Sequence, residues 1–312
     1  AIVSGFAGHR NDLRVAGVIF NRVASDRHFD LLAAAVRASC PGVAILGGVR
    51  RRENLTVPSR HLGLVQAGEA EDLHHLLNTA AAAVAEDLDI TALAGLAAEA
   101  AMSGQGHADP AVPPLGQHIA VARDMAFAFS YPHLLTGWRR AGAEVTFFSP
   151  LAGEGPPDTA TAVYLPGGYP ELHAGQLAAS YGFRDQMLAA ADRGAVIYGE
   201  CGGYMALGDG LTDAAGVRHQ MLGLLPLETS FAAPRRRLGY RVVRLLDDGP
   251  LGRAGSGFRA HEFHYSAEEK AGGTNRLFSI TDATGTSLGL SGLVQGRVFG
   301  SYIHLIDREN PN

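Results

Sequence analysis

Cys201 is one of two cysteines in the chain, and it stands in VIYGECGGYMALG, residues 196–208. An apolar run through Val196, Ile197 and Tyr198 reaches Gly199, Glu200 and the cysteine; Gly202 and Gly203 follow, then apolar residues at helical spacing. This is the pattern of a strand that turns sharply into a helix with a nucleophile at its tip. Flanking glycines relieve the crowding that such a turn imposes. A thiol so placed lies at a helix N-terminus, where the dipole and unpaired N–H groups favour a thiolate. The amide of Gly202 is then positioned to bind a developing oxyanion. The same turn also suits a small, buried, inert cysteine, so the surrounding residues have to decide.

Residues 161–172, TAVYLPGGYPEL, give a second apolar strand that runs into Pro166, Gly167 and Gly168. Two strands ending in glycine turns suggest parallel neighbours in one sheet, whose ligands bind beyond the carboxyl ends of the strands. Gly168 would supply the second oxyanion amide there. A thiol nucleophile needs a base. Among the 13 histidines, His304 is the best candidate, because LVQGRVFGSYIHL, residues 293–305, reads as a final strand with the histidine near its end. A histidine merely exposed at a strand terminus is the alternative. His261 and His264, in HEFHYS, are rivals. Three residues apart on a strand, they face opposite sides, so they make a poor metal pair. No metal site is expected.

These residues need a sheet to hold them. Residues 118–123, 144–148, 162–165 and 196–198 read as strands, separated by helix-like segments such as 131–142 and 177–193. The last third, 221–305, is richer in alternation and turns, as at a mixed sheet edge. Upstream, 15–20 and 43–46 read as strands, 29–39 has helical spacing, and 71–90 and 91–101 read as alanine-rich helices. Between the halves, SGQGHADPAVPPLG (103–116) breaks all periodicity and reads as a linker. The expected fold class is α/β, with domains at 1–102 and 117–312.

Composition agrees with two domains. The chain has 312 residues, 46% of them hydrophobic, and a net charge of -5. It has no basic block, so nothing invites nucleic acid or an anionic membrane. Cys40, before Pro41, reads as inert, and two cysteines make no disulfide framework. No signal peptide is visible, and Glu86, Asp87, Asp89 and Glu99 interrupt the one alanine-rich stretch that could suggest a membrane span. A cytoplasmic, reducing compartment is expected.

In order along the chain, YLPGGYPELHA, YGECGGYMALG, LGYRVV, HEFHYS and GSYIHL resemble the glutamine amidotransferase domain of the cobyrinic and hydrogenobyrinic acid a,c-diamide synthase family. GVIFNRVASDRH and PSRHLGLVQAGEAEDL resemble the later half of that family's ATP-dependent amidoligase domain. The resemblance implies part of a P-loop-type amidoligase domain followed by a class I glutaminase-like α/β domain. It implies Cys201 as nucleophile and His304 as base, releasing ammonia from glutamine to an ATP-activated carboxylate of a corrin diacid. A homodimer is one expected assembly. Asn21 would contact the adenine base, though an asparagine at a strand end is equally turn chemistry.

Two departures stand out. Class I glutaminases often carry a carboxylate two residues after the histidine; here that position is Ile306, and Asp307 follows one later, pointing the other way. A Cys–His pair is therefore expected rather than a triad. Family members also begin with a phosphate loop whose lysine reaches ATP, whereas Lys270 is this chain's single lysine. The chain opens on AIVSGF without a methionine and reads as a fragment lacking its N-terminal ATP-binding half. ATP and Mg2+ would then serve the full-length enzyme, with neither tightly bound by this chain. Arg60 and His61 suggest a solvated loop or an acid-binding cleft, the arginines at 235–237 a solvated run or a carboxylate clamp, and Tyr164, Tyr169 and Tyr204 suggest packing. Two other functions remain open. One is the glutaminase of another amidoligase, cobyric acid synthase or a cell-wall amidating enzyme; the other is a non-catalytic protein on an elbow fold.

Overall fold

A computed structural model of the chain describes residues 1–57, 59–60, 63–64, 67–69, 72–97, 110–273 and 275–309. It divides into two compact units, Ala1–Gln105 and Gly106–Asn312. In the first, the strands Gly17–Val23 and Ala44–Arg50 pair in parallel, joined by the helix Asp26–Ser39. That helix begins where the Ser25 hydroxyl accepts from the His28 amide, satisfying a donor that a helix start leaves open. Asp72 and Asp89 cap the helices Leu73–Asp87 and Ile90–Gly95 in the same way. Phe20, Val23, Ala33 and Val36 form a small core.

The second unit is built on a six-stranded sheet. Its order is Leu293–Gln295, Val298–Ser301, Val196–Glu200, Ala162–Leu165, His118–Ala122 and Glu144–Phe148. Every pairing is parallel except the hairpin at the Leu293–Gln295 edge. The central strands are covered on both faces, which is why Ile119, Ala120, Val121 and Ala122 are all apolar instead of alternating. One face carries the helices Ala174–Ala178, Tyr181–Asp192 and Gly202–Leu207, which bury Val163, Ile197, Met187 and Leu207. The other is covered by the helix Pro132–Arg140 and by a second sheet, packing Trp138, Val243, Phe258 and Ile303 against Val121, Tyr164 and Tyr198. The α/β class read from the sequence is the one observed.

Three expectations need correction. Residues 110–116 belong to the second unit rather than to a linker: Val112 and Leu115 are buried, and the Trp138 indole donates to the Val112 carbonyl at 3.0 Å. Proline and polar residues hid that anchoring from any periodicity argument. The last third is more than a sheet edge. It forms its own five-stranded antiparallel sheet, ordered Ser287–Ser291, Phe278–Asp282, Arg237–Leu245, Gly257–His264 and Ile303–Arg308, and lends two strands, Leu227–Ser230 and Ala267–Ala271, to a four-stranded one.

Finally, residues 293–305 are not one strand. Leu293–Gln295 and Val298–Ser301 form a hairpin that turns at Gly296, φ +61°. Tyr302 then carries the chain across to the antiparallel sheet, where Ile303–Arg308 pairs with Gly257–His264. The bend is marked by the Ser301 hydroxyl, which accepts from the Ile303 amide at 3.1 Å. Both flanks are β, so their alternation runs on through the crossing and conceals it.

Candidate active site

Cys201 lies between the strand Val196–Glu200 and the helix Gly202–Leu207, at φ +49° and ψ −104°. A non-glycine residue there is strained, and the surroundings enforce it. The Cys201 amide donates to the Ser301 carbonyl at 2.8 Å, and its own carbonyl accepts from Met205. The helix can begin so close to the sheet because Gly203 has no side chain; a Cβ there would run into the Leu165 carbonyl. The thiol is nearly fully buried.

The crossing at Tyr302 delivers His304. Ser301 pairs with Glu200 at the end of the parallel sheet, and three residues later the imidazole stands over the cysteine. Its Nδ1 faces the Tyr131 hydroxyl at 3.1 Å and Glu200 Oε1 at 3.4 Å, which leaves Nε2 for the thiol. The glycine loop closes the other side. A side chain on Gly167 would begin 2.6 Å from His304 Cε1 and 3.3 Å from Cys201 Cβ. Burial alone would push the imidazole down, but the charge and hydrogen bond of Cys201, joined by Glu200, outweigh it and hold His304 up at about 10. The imidazole is thus held toward its protonated, donor form beside Cys201.

Glu200 corrects the expectation of a bare cysteine–histidine pair. It is fully buried directly before Cys201. Its Oε1 accepts from the Tyr164 hydroxyl at 2.9 Å; its Oε2 accepts from the Tyr198 hydroxyl and the Leu305 amide, both at 3.1 Å. Burial and the neighbouring Glu200 hold both phenols well above their ordinary range, so they remain donors. Tyr164, read as packing, is therefore also a polar partner. Asp307 is exposed and accepts from the amide of Arg308. The carboxylate that orients His304 comes from the elbow, not from the histidine's own strand. A lone glutamate ending an apolar strand was the available signal.

His261, the rival base, stacks on His304 with ring centroids 4.5 Å apart and is 2.6 Å from the Tyr131 hydroxyl through Nε2. It is placed beside the base. His264 faces away, bonded to Glu262 and stacked on Tyr302. The Gly168 amide nitrogen lies 2.9 Å from where a Gly202 side chain would start, so the two glycine backbones pack directly against each other. The loop bearing Gly168 is pinned by Tyr169 N to Ala126 O and by Phe129 N to Gly167 O. Asn21 belongs to the other unit, and its Oδ1 accepts from the amide of Arg22. The arginines at 235–237 are exposed, as is Lys270. The side chain of Arg60, and all of His61, lie outside the described residues. Among the described residues, no cluster of three His, Cys, Asp or Glu side chains could hold a metal ion, and no helix is long and apolar enough to cross a membrane.

Residues 118–311 match the CobB/CobQ-like glutamine amidotransferase domain. A hydrogenobyrinate a,c-diamide synthase from a Sinorhizobium species is 53% identical over 98% of this chain and 70% of its own length. The chain belongs to the hydrogenobyrinate a,c-diamide synthase family. The synthase of the same name from Rhizobium meliloti is 51% identical over the same shares. A crystal structure of a glutamine amidotransferase superposes with a TM-score of 0.39 at 17% identity, covering 61% of this chain and 90% of the other. Members of this family are amidotransferases of ligase type, and the second unit is the part that takes glutamine.

Proposed function

We propose that Cys201, His304 and Glu200 hydrolyse glutamine. The observation that carries this reading is the strained Cys201 under an imidazole whose far nitrogen faces a buried carboxylate. The thiolate attacks the glutamine side-chain carbon, and the carbonyl π electrons move to oxygen, beside the amides of Gly168 and Gly202. His304 Nε2 gives its proton to the departing nitrogen as the C–N bond breaks, leaving ammonia and a thioester. Water then attacks the thioester, His304 takes its proton, and glutamate departs with the thiol restored. Glu200 stabilises the imidazolium and holds the ring's tautomer, without itself needing to change charge.

In this reading the ammonia goes to the a and c carboxylates of hydrogenobyrinate, the substrate in the relatives' names. ATP and Mg2+ would activate those carboxylates in the complete enzyme. The described residues do not fit a nucleoside triphosphate: the single lysine stands on the exposed strand Ala267–Ala271, and the Asn21 carbonyl is engaged by its own turn. The test uses the complete enzyme. Cys201→Ala should abolish glutamine-dependent amidation and leave ammonia-dependent amidation largely intact, and His304→Ala should lower glutamine hydrolysis by about 10²–10⁴. Glutamine still supporting amidation in Cys201→Ala would refute the assignment.

A further inference from the structure

Beside the nucleophile and base stands a second polar chain with no role in that chemistry. Tyr131, at the start of the helix Pro132–Arg140, places its hydroxyl 3.1 Å from His304 Nδ1 and 2.6 Å from His261 Nε2. The His261 ring lies parallel to that of His304, at 10°. Its position follows from strand register: His261 sits directly opposite His304 across the pair Gly257–His264 and Ile303–Arg308, so both side chains leave the same face.

A hydroxyl has one proton to give, and its direction decides what Tyr131 can do for His304. The imidazolium needs acceptors at Nδ1–H, and a phenol can be one only if its own proton points elsewhere. His261 Nε2 is where it can point, provided that nitrogen is bare. Burial first, then the neighbouring His304 charge, push His261 down to about 4, so at neutral pH it is a neutral acceptor. Burial, then the charges of Glu200 and Cys201, raise the Tyr131 phenol, which therefore keeps its proton. The consistent arrangement runs His304 Nδ1–H to Tyr131 O, and Tyr131 O–H to His261 Nε2.

We propose that Tyr131 and His261 are positioning residues which, acting as one chain, widen the pH range over which the Cys201–His304 ion pair persists. The inference rests on the reading of those two residues as nucleophile and base. The other charged and titratable groups around the chain are few. Glu200 shares Nδ1–H with Tyr131. His133, with its ring 5.9 Å from that of Tyr131, is engaged through Nε2 with the Ile306 carbonyl. Glu262, next on the His261 strand, turns away to Arg241 and His264. Tyr240, opposite His261 on its other side, is exposed.

The test reads the rate of Cys201 alkylation by iodoacetamide against pH, in a Cys40→Ser background so that a single thiol reports. Tyr131→Phe removes one oxygen and keeps the ring. Losing that acceptor weakens the imidazolium, so His304 should give up its proton at lower pH and the pair should persist over a narrower range. The alkaline step of the profile, where His304 gives up its proton, should move down by about one pH unit, with glutamine hydrolysis falling roughly tenfold in kcat at unchanged KM. His261→Leu should give the same shift, and His261→Gln, whose amide oxygen can replace Nε2 as acceptor, should restore most of it. Because the two residues act in series, the Tyr131→Phe/His261→Leu double variant should shift no further than Tyr131→Phe. An unmoved profile in Tyr131→Phe, or additive shifts in the double variant, would overturn the proposal. A parallel profile on His304→Ala separates the two failures: if it matches the wild type, the base assignment itself is wrong.

Discussion

Glu200→Gln is the sharpest test of the site, because its outcome can be worked out atom by atom. The carboxylate receives the Tyr164 hydroxyl and His304 Nδ1 at one oxygen, and the Tyr198 hydroxyl and Leu305 amide at the other. A glutamine amide has one oxygen to offer. The tyrosine hydroxyls can rotate to become acceptors, but the Leu305 backbone N–H cannot, so the oxygen must stay on its side. The NH2 group is then forced toward His304 Nδ1, which can accept that bond only after losing its proton. The substitution thus selects a neutral imidazole with its remaining proton on Nε2. Coulomb's law at an effective dielectric of about 20 gives roughly 5 kcal/mol for unit charges 3.4 Å apart. The hydrogen bonds already spreading the Glu200 charge make that a ceiling. A loss of about 2–3 kcal/mol, close to 10² in rate, is the working expectation. The assay is kcat/KM for glutamine against pH, with the alkaline limb, set by His304 at about 10 in the parent, moving to lower pH. A variant within threefold of the parent, with an unmoved profile, would refute the triad.

Two glycines should separate chemistry from stability. Gly167→Ala brings a methyl to 2.6 Å from His304 Cε1 and should reduce glutamine hydrolysis at least tenfold, while calorimetry finds the melting temperature nearly unchanged. Gly203→Ala drives a methyl into the Leu165 backbone; overpacking of this kind is worth about 1–3 kcal/mol, or a melting temperature lower by roughly 2–10 °C. His261 gives a pH prediction. Its value in the folded chain is about 4 against an ordinary 6.5, so between those values the unfolded chain binds a proton that the native one refuses. Stability should therefore fall as pH drops from 6.5 toward 4. Denaturant titrations should show a shallower fall in His261→Gln, and equal slopes would contradict the assigned burial.

The sequence carried the elbow well, because a short buried strand, a compulsory glycine turn and a buried apolar helix each leave a local pattern. The neighbouring strand with its Pro166–Gly168 turn was legible for the same reason. What failed was anything depending on contacts distant in sequence. Glu200 shows locally only as a lone glutamate ending an apolar strand, since nothing near it in sequence indicates that Tyr164 and Leu305 converge on it. Tyr131 reads as an N-terminal helix residue, and only strand register places His261 beside His304. The anchoring of Val112 under Trp138 was hidden by prolines that mimic a linker.

The one-residue crossing at Tyr302 has a consequence for how this site can move. Cys201 and His304 are held by different sheets, yet only Tyr302 separates the strand locked to Glu200 from the one that carries His304. No hinge fits into so short a span. The Tyr302 side chain is itself buried, under His264 and against Tyr204. Breathing that parts Cys201 from His304 must therefore slide one sheet over the other and open the core packed between them. Amide exchange at Cys201 and Leu305 should then track unfolding of the whole unit rather than local fraying. Adjustment on ligand binding should then fall to the loop around Gly168, with Cys201 and His304 held as a fixed frame.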